Sequence, residues 1–157
     1  MIEPTRDALL TVLRVARWAD VVASRAYGSM LELERAAVAA ATPLTPAEIE
    51  EALSAHPRIG DRREGDDAEA RFSRAEQEAS SSDDEVLAAH LSDLNALYEK
   101  RFGRVFLIRA AGRSREEIVA ELERRLGNDD SAELAEVADQ LRGIALLRLR
   151  QIYGGES

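Results

Sequence analysis

Apolar residues near the end of the chain recur at helical spacing. At 100° per residue, Leu134, Val137, Ala138, Leu141, Ile144, Ala145 and Ile152 define one stripe about 120° wide. The same period runs through Ile118, Val119, Leu122 and Leu126, through residues 5 to about 26, and through residues 83 to about 101. The N-terminal stretch is expected to split near Arg17-Trp18. Helix starts are marked by a Ser, Thr or Asp with a Glu three residues later, a pair whose side chains satisfy free backbone donors reciprocally. Ser29 with Glu32, Thr45 with Glu48, Ser114 with Glu117 and Asp130 with Glu133 all fit. Pro46 stands at a first helical position, where its missing N–H costs nothing. Gly127 is expected to supply a left-handed stop, and the last helix is expected to run toward Gly154. Only VFLI, residues 105 to 108, looks strand-like, and one apolar run of four cannot make a sheet. It is read as an extended link. The fold class is all-α, a single-domain helical bundle over residues 1–157.

Composition adjusts this picture in a few places. A chain of 157 residues is long enough for one self-sufficient core. Phe, Trp and Tyr make up only 4 % of it, which favours helix packing over sheet. A net charge of -9 argues against a nucleic-acid partner, because the basic clusters, Arg62-Arg63 and Arg124-Arg125, are only pairs. Without cysteine there is no disulfide framework and no thiolate nucleophile, which suits a reducing compartment. No apolar run is long enough to span a membrane, MIEPTRDALL lacks the form of a signal peptide, and GGES is not a peroxisomal address. A cytoplasmic protein with no membrane partner is expected. Residues 57 to 67 and the serine-rich stretch near 80 to 84 read as connectors inside one domain.

Three residues resist a purely structural reading. His56 in SAHPRIGDR ends the helix opened by Thr45, and Pro57 biases it away from helical angles. The ring is held on a stiff corner at a helix C-terminus, which favours imidazolium; an ordinary helix stop with an exposed ring is the alternative. Arg148 falls near the centre of the last helix's apolar stripe, whereas Arg142 and Arg150 fall off it and read as solvated. A guanidinium in a core needs a partner, either an internal carboxylate or a ligand's anion, unless it snorkels to water. Glu76 in FSRAEQEAS pairs with Ser73 at capping spacing. In a helix running through, Ser73, Glu76 and Gln77 share a face and offer a hydroxyl, a carboxylate and an amide. His90 reads as a packed or boundary residue, and Trp18 and Tyr98 read as core residues. Two distant histidines do not make a zinc site, and no calcium loop, glycine-rich phosphate cradle or GxSxG occurs.

These positions fall within a longer pattern. SAHPRIGDR, SRAEQ, YEKRFGRVFLIRAAGRS, ERRLGND and GIALLRL, in that order and spacing, resemble the 2-oxo-4-hydroxy-4-carboxy-5-ureidoimidazoline (OHCU) decarboxylases of urate breakdown. The resemblance runs from about Trp18 to about Leu149. It is looser before the His-Pro corner, where YGSMLELERAA keeps only the helical pattern. It implies an all-α enzyme that needs no cofactor or metal and forms (S)-allantoin, with relatives that suggest a homodimer. By the same resemblance His56, Glu76 and Arg148 are catalytic. Pro57 lies beside the histidine, Ser73 and Gln77 line the pocket, and the backbone of Phe106, Leu107 and Ile108 holds the amide-like edges of the heterocycle. The competing reading from composition alone is an all-α interaction module.

Overall fold

The computed structural model describes residues 1–55 and 85–155. Seven α-helices occur among them: α1 Arg6–Val12, α2 Ala16–Val22, α3 Met30–Ala40, α4 Pro46–Leu53, α5 Glu85–Phe102, α6 Arg115–Arg125 and α7 Asp130–Tyr153. Strand-like pairing among the described residues is limited to a bridge between Ile2 and Tyr27. The all-α reading is therefore correct, and the 105–108 run is an irregular link between α5 and α6.

Caps mark most of the helix starts where the sequence put them. Thr45 and Ser114 form full capping boxes with Glu48 and Glu117, each such cap contributing about 1 kcal/mol. Ser29 caps α3 by accepting from the Glu32 N–H, but Glu32 reaches back to the Gly28 N–H instead. The start of α7 is displaced by one residue from expectation. Asp129, not Asp130, accepts the Ala132 N–H at 2.7 Å, which leaves Glu133 for another task.

The ends differ more. Gly127 does not take the left-handed conformation; α6 closes through Leu126 in a right-handed C-cap. Among the described residues the left-handed glycines are Gly103 (φ 72°) and Gly112 (φ 79°), flanking the 105–110 link. Gly103 ends α5, with its N–H donating to the Glu99 carbonyl at 2.8 Å. α4 stops at Leu53 with Ser54 as its C-cap, so the helix ends before the His-Pro corner rather than at His56.

The described residues fall into two compact units. One comprises residues 1–55 and 138–155; the other contains residues 85–137. In the first, α1 packs on α2 and α2 on α3. The N-terminal helical stretch breaks at Leu13–Val15, a few residues before the expected point. Trp18 is fully buried, and its indole donates to the Ala37 carbonyl at 2.9 Å, fixing α2 against α3. In the second unit, α5 packs on α6 around Leu91, Tyr98, Phe106, Ile118 and Leu122.

Candidate active site

Arg148 lies where the apolar stripe puts it, with 0 % of its surface exposed. Val137, Ala138, Leu141, Ile144 and Ala145 of the same stripe are buried as well. Burial rules out snorkelling. Its Nη1 donates to the Thr11 carbonyl at 3.2 Å and lies 3.5 Å from the Val12 carbonyl. Both carbonyls belong to the last turn of α1, where helix oxygens lack intrahelical donors and carry partial negative charge. A cation there is matched by backbone dipoles.

The other two arginines of α7 part company. Arg150 is exposed and pairs with Glu34 at 2.8 Å, in line with its place off the stripe. Arg142 is not solvated as expected. Its side chain is only 18 % exposed, donates to the Ala41 carbonyl at 2.9 Å and pairs with Asp139. It thereby caps the end of α3 from a distant part of the chain.

The second unit holds a buried polar cluster that the sequence reading passed over. Arg125 and Glu133, 1 % and 0 % exposed, form an ion pair with Nε 2.6 Å from Oε1. The Tyr98 hydroxyl donates to Glu133 Oε2 at 2.9 Å, and Arg125 Nη1 donates to the Leu107 carbonyl at 2.7 Å. The guanidinium also lies over the Phe106 ring, 4.6 Å from its centroid, while Tyr98 meets that ring edge-on at 5.2 Å. Burial, and next the charge of Glu133, push the Tyr98 phenol well above its ordinary range, so it stays a donor. Arg124, the neighbour with which Arg125 was read as one basic pair, is half-exposed and pairs with Glu121 and Glu136.

Phe106, Leu107 and Ile108 are 1 %, 4 % and 2 % exposed. Among the described residues, no hydrogen bond takes up their three N–H groups. Buried backbone donors are almost always paired, with protein, water or a ligand. A run of three without partners among the described residues is suited to hold a polar molecule. His90 is half-exposed and meets Glu123 at 3.0 Å, as a boundary residue. His56, Pro57, Ser73, Glu76 and Gln77 lie outside the described residues.

Polar groups held in apolar surroundings by helices are the equipment of an all-α protein that acts on a small polar molecule. The comparisons name the kind: the chain belongs to the OHCU decarboxylase family, whose model matches residues 3–150. That span is wider than the one the sequence motifs marked out. The chain is 31% identical over 135 residues to the 2-oxo-4-hydroxy-4-carboxy-5-ureidoimidazoline decarboxylase of Haloferax volcanii, covering 85% of this chain and 78% of that protein. It is 33% identical over 110 residues to the uric acid degradation bifunctional protein TTL of Arabidopsis thaliana, covering 68% of this chain and 34% of that one. In fold it is similar to a crystal structure of OHCU decarboxylase in the presence of (S)-allantoin. The TM-score is 0.80 at 24% identity, with 94% of this chain and 98% of that one covered.

The cluster around Arg125 had a signal in the sequence. Arg125 lies about 20° from Ile118 around α6 at 100° per residue, on the helix's apolar face. Glu133 lies about 20° beyond Ile144, at the margin of the α7 stripe. Its reading as a capping residue hid that position.

Proposed function

We propose that this chain converts OHCU to (S)-allantoin with His56, Glu76 and Arg148 as its catalytic residues and without a cofactor. Family membership makes it a decarboxylase of urate breakdown. The match over residues 3–150 carries the reading, and the burial of Arg148 supports its part in it.

The substrate carries a hydroxyl and a carboxylate on one ring carbon, beside a C=N bond. When the bond to the carboxylate breaks, CO2 leaves and the electron pair moves into the C=N group, whose nitrogen takes a proton. The resulting enol loses its hydroxyl proton as the ureido-bearing carbon gains one, giving the ring amide carbonyl of allantoin. His56 moves protons between hydroxyl, ring and intermediate, as a general acid–base worth about 10²- to 10⁴-fold in rate. Glu76 orients the ureido N–H groups or holds the histidine in one tautomer. Arg148 pairs with the substrate's anionic charge through its planar fork. Ser73 and Gln77 line the pocket beside Pro57, and the Phe106, Leu107 and Ile108 backbone meets the heterocycle's amide-like edges. Their N–H groups, which no described residue takes up, support that last assignment. The reading extends to residues 1–157 as one domain of this family, to a homodimer and to a cytoplasmic location.

The test follows circular dichroism after generating fresh substrate from urate. The substrate decays unaided, with no preference for a face, so handedness carries the information. The protein is expected to give mainly the (S) enantiomer, faster than the spontaneous reaction; racemic product at the spontaneous rate from folded protein sinks the assignment and favours an interaction module. A second expectation concerns metals. Because the substrate's own C=N bond receives the electrons, exhaustive treatment with EDTA should leave the rate unchanged. Activity lost on chelation and restored by one defined metal would defeat this mechanism.

A further inference from the structure

We infer that Arg125, held by Glu133 and Tyr98, is a positioning residue that aims the Ile108 N–H at the substrate's heterocycle. The inference rests on the proposed decarboxylase reading and adds to it a buried group that the reading leaves unused. The Leu107–Ile108 peptide bond is trans, so the Leu107 carbonyl and the Ile108 N–H point in opposite directions across one rigid plane. Arg125 Nη1 grips that carbonyl at 2.7 Å. The same side chain covers the Phe106 ring, so both the peptide plane and the residue before it are fixed by one guanidinium. Whichever way the carbonyl is held, the Ile108 N–H is presented on the far side, and no described group takes it up there.

The rest of the cluster fixes the guanidinium itself. Glu133 accepts from Arg125 Nε at 2.6 Å and 3.1 Å with its two oxygens, and the second also accepts the Tyr98 hydroxyl. The four groups form a chain of hydrogen bonds from α5 through α7 and α6 to the link. Core packing alone does not need it: Tyr98 already packs tilted against Phe102 and edge-on against Phe106. An ion pair in such surroundings is weak evidence for stability, because desolvation offsets much of its attraction. What it does supply is direction. An arginine forks to two partners in one plane, which a lysine cannot do.

Substitution Arg125→Lys keeps the charge and loses the fork; Tyr98→Phe keeps the ring and removes one bond two steps from the link. Arg124→Gln, on the exposed face, is the control and should match wild type. With an N–H that binds ground state and transition state alike, its misdirection appears in KM. Arg125→Lys is expected to raise KM about tenfold or more with kcat changed by less than about threefold, the pattern of a lost uniform binding contact. Tyr98→Phe should shift KM the same way by about two- to fivefold, since it acts through Glu133. In ¹⁵N spectra of the wild type, the Ile108 amide should move downfield on adding (S)-allantoin, and that movement should shrink in Arg125→Lys.

The wild type separates the two ideas. No rate gain from wild-type protein overturns the decarboxylase reading. An active wild type beside a folded Arg125→Lys with unchanged KM and an unchanged Ile108 response overturns the positioning role alone. If Arg125→Lys does not fold, Tyr98→Phe decides by the same criterion: a lowered melting temperature with unchanged KM makes the cluster structural.

Discussion

His56→Ala is expected to lower the rate of (S)-allantoin formation by about 10²- to 10⁴-fold, the usual worth of a positioned acid–base group. The product should drift toward the racemate, as the uncatalysed path overtakes the catalysed one. The fold should survive. α4 ends at Leu53 and is closed by its own C-cap at Ser54. Its start is secured by the Thr45–Glu48 box. The measurement is circular dichroism in two ranges, the far ultraviolet for helix content and the product band for handedness. Wild-type turnover in a folded His56→Ala variant removes the histidine from the mechanism while leaving the family assignment standing.

Arg148→Ala should cut kcat/KM by about 10²- to 10³-fold, in the range for losing a preorganised donor to developing charge. Arg150→Ala should stay within about threefold, since Arg150 is exposed and engaged with Glu34. Structure adds a second expected effect to the first. Arg148 donates to carbonyls of the last turn of α1, one half-buried and one buried, so its removal leaves them without that donor, at about 1–3 kcal/mol. At this chain length each kcal/mol is worth roughly 2–4 °C in melting temperature. The two effects are separable by Arg148→Lys, which keeps a donor and a charge but loses the planar fork. Full activity in Arg148→Ala with a sharply lowered melting temperature would make the residue a helix clamp and nothing more.

The sequence by itself determined the elements and the character of Arg148. Periodicity is a property of the chain alone: a stripe at 3.6-residue spacing buries the same face in any helical packing, so Arg148 had to meet the core. Capping boxes are equally local. Thr45 with Glu48 and Ser114 with Glu117 act across three residues, and both formed as read. The family's motifs were legible for the same reason, being short runs of fixed spacing.

Tertiary structure decided what depended on partners far along the chain. The break between α1 and α2 falls at Leu13–Val15, where Val15 offers no side-chain cap and the Ala16 N–H is instead satisfied by Glu51, thirty-five residues away. Arg142 left the solvent to cap Ala41, one hundred and one residues away. Glu133 enters the core, while Asp129 takes the capping role. Once inside, it was matched by Arg125 and Tyr98, which come from two other helices. A charge changes its role when desolvation and a partner arrive together, and both are supplied by packing. Spacing tells which face a side chain is on; the energy of burying a charged group depends on what the other helices bring to that face.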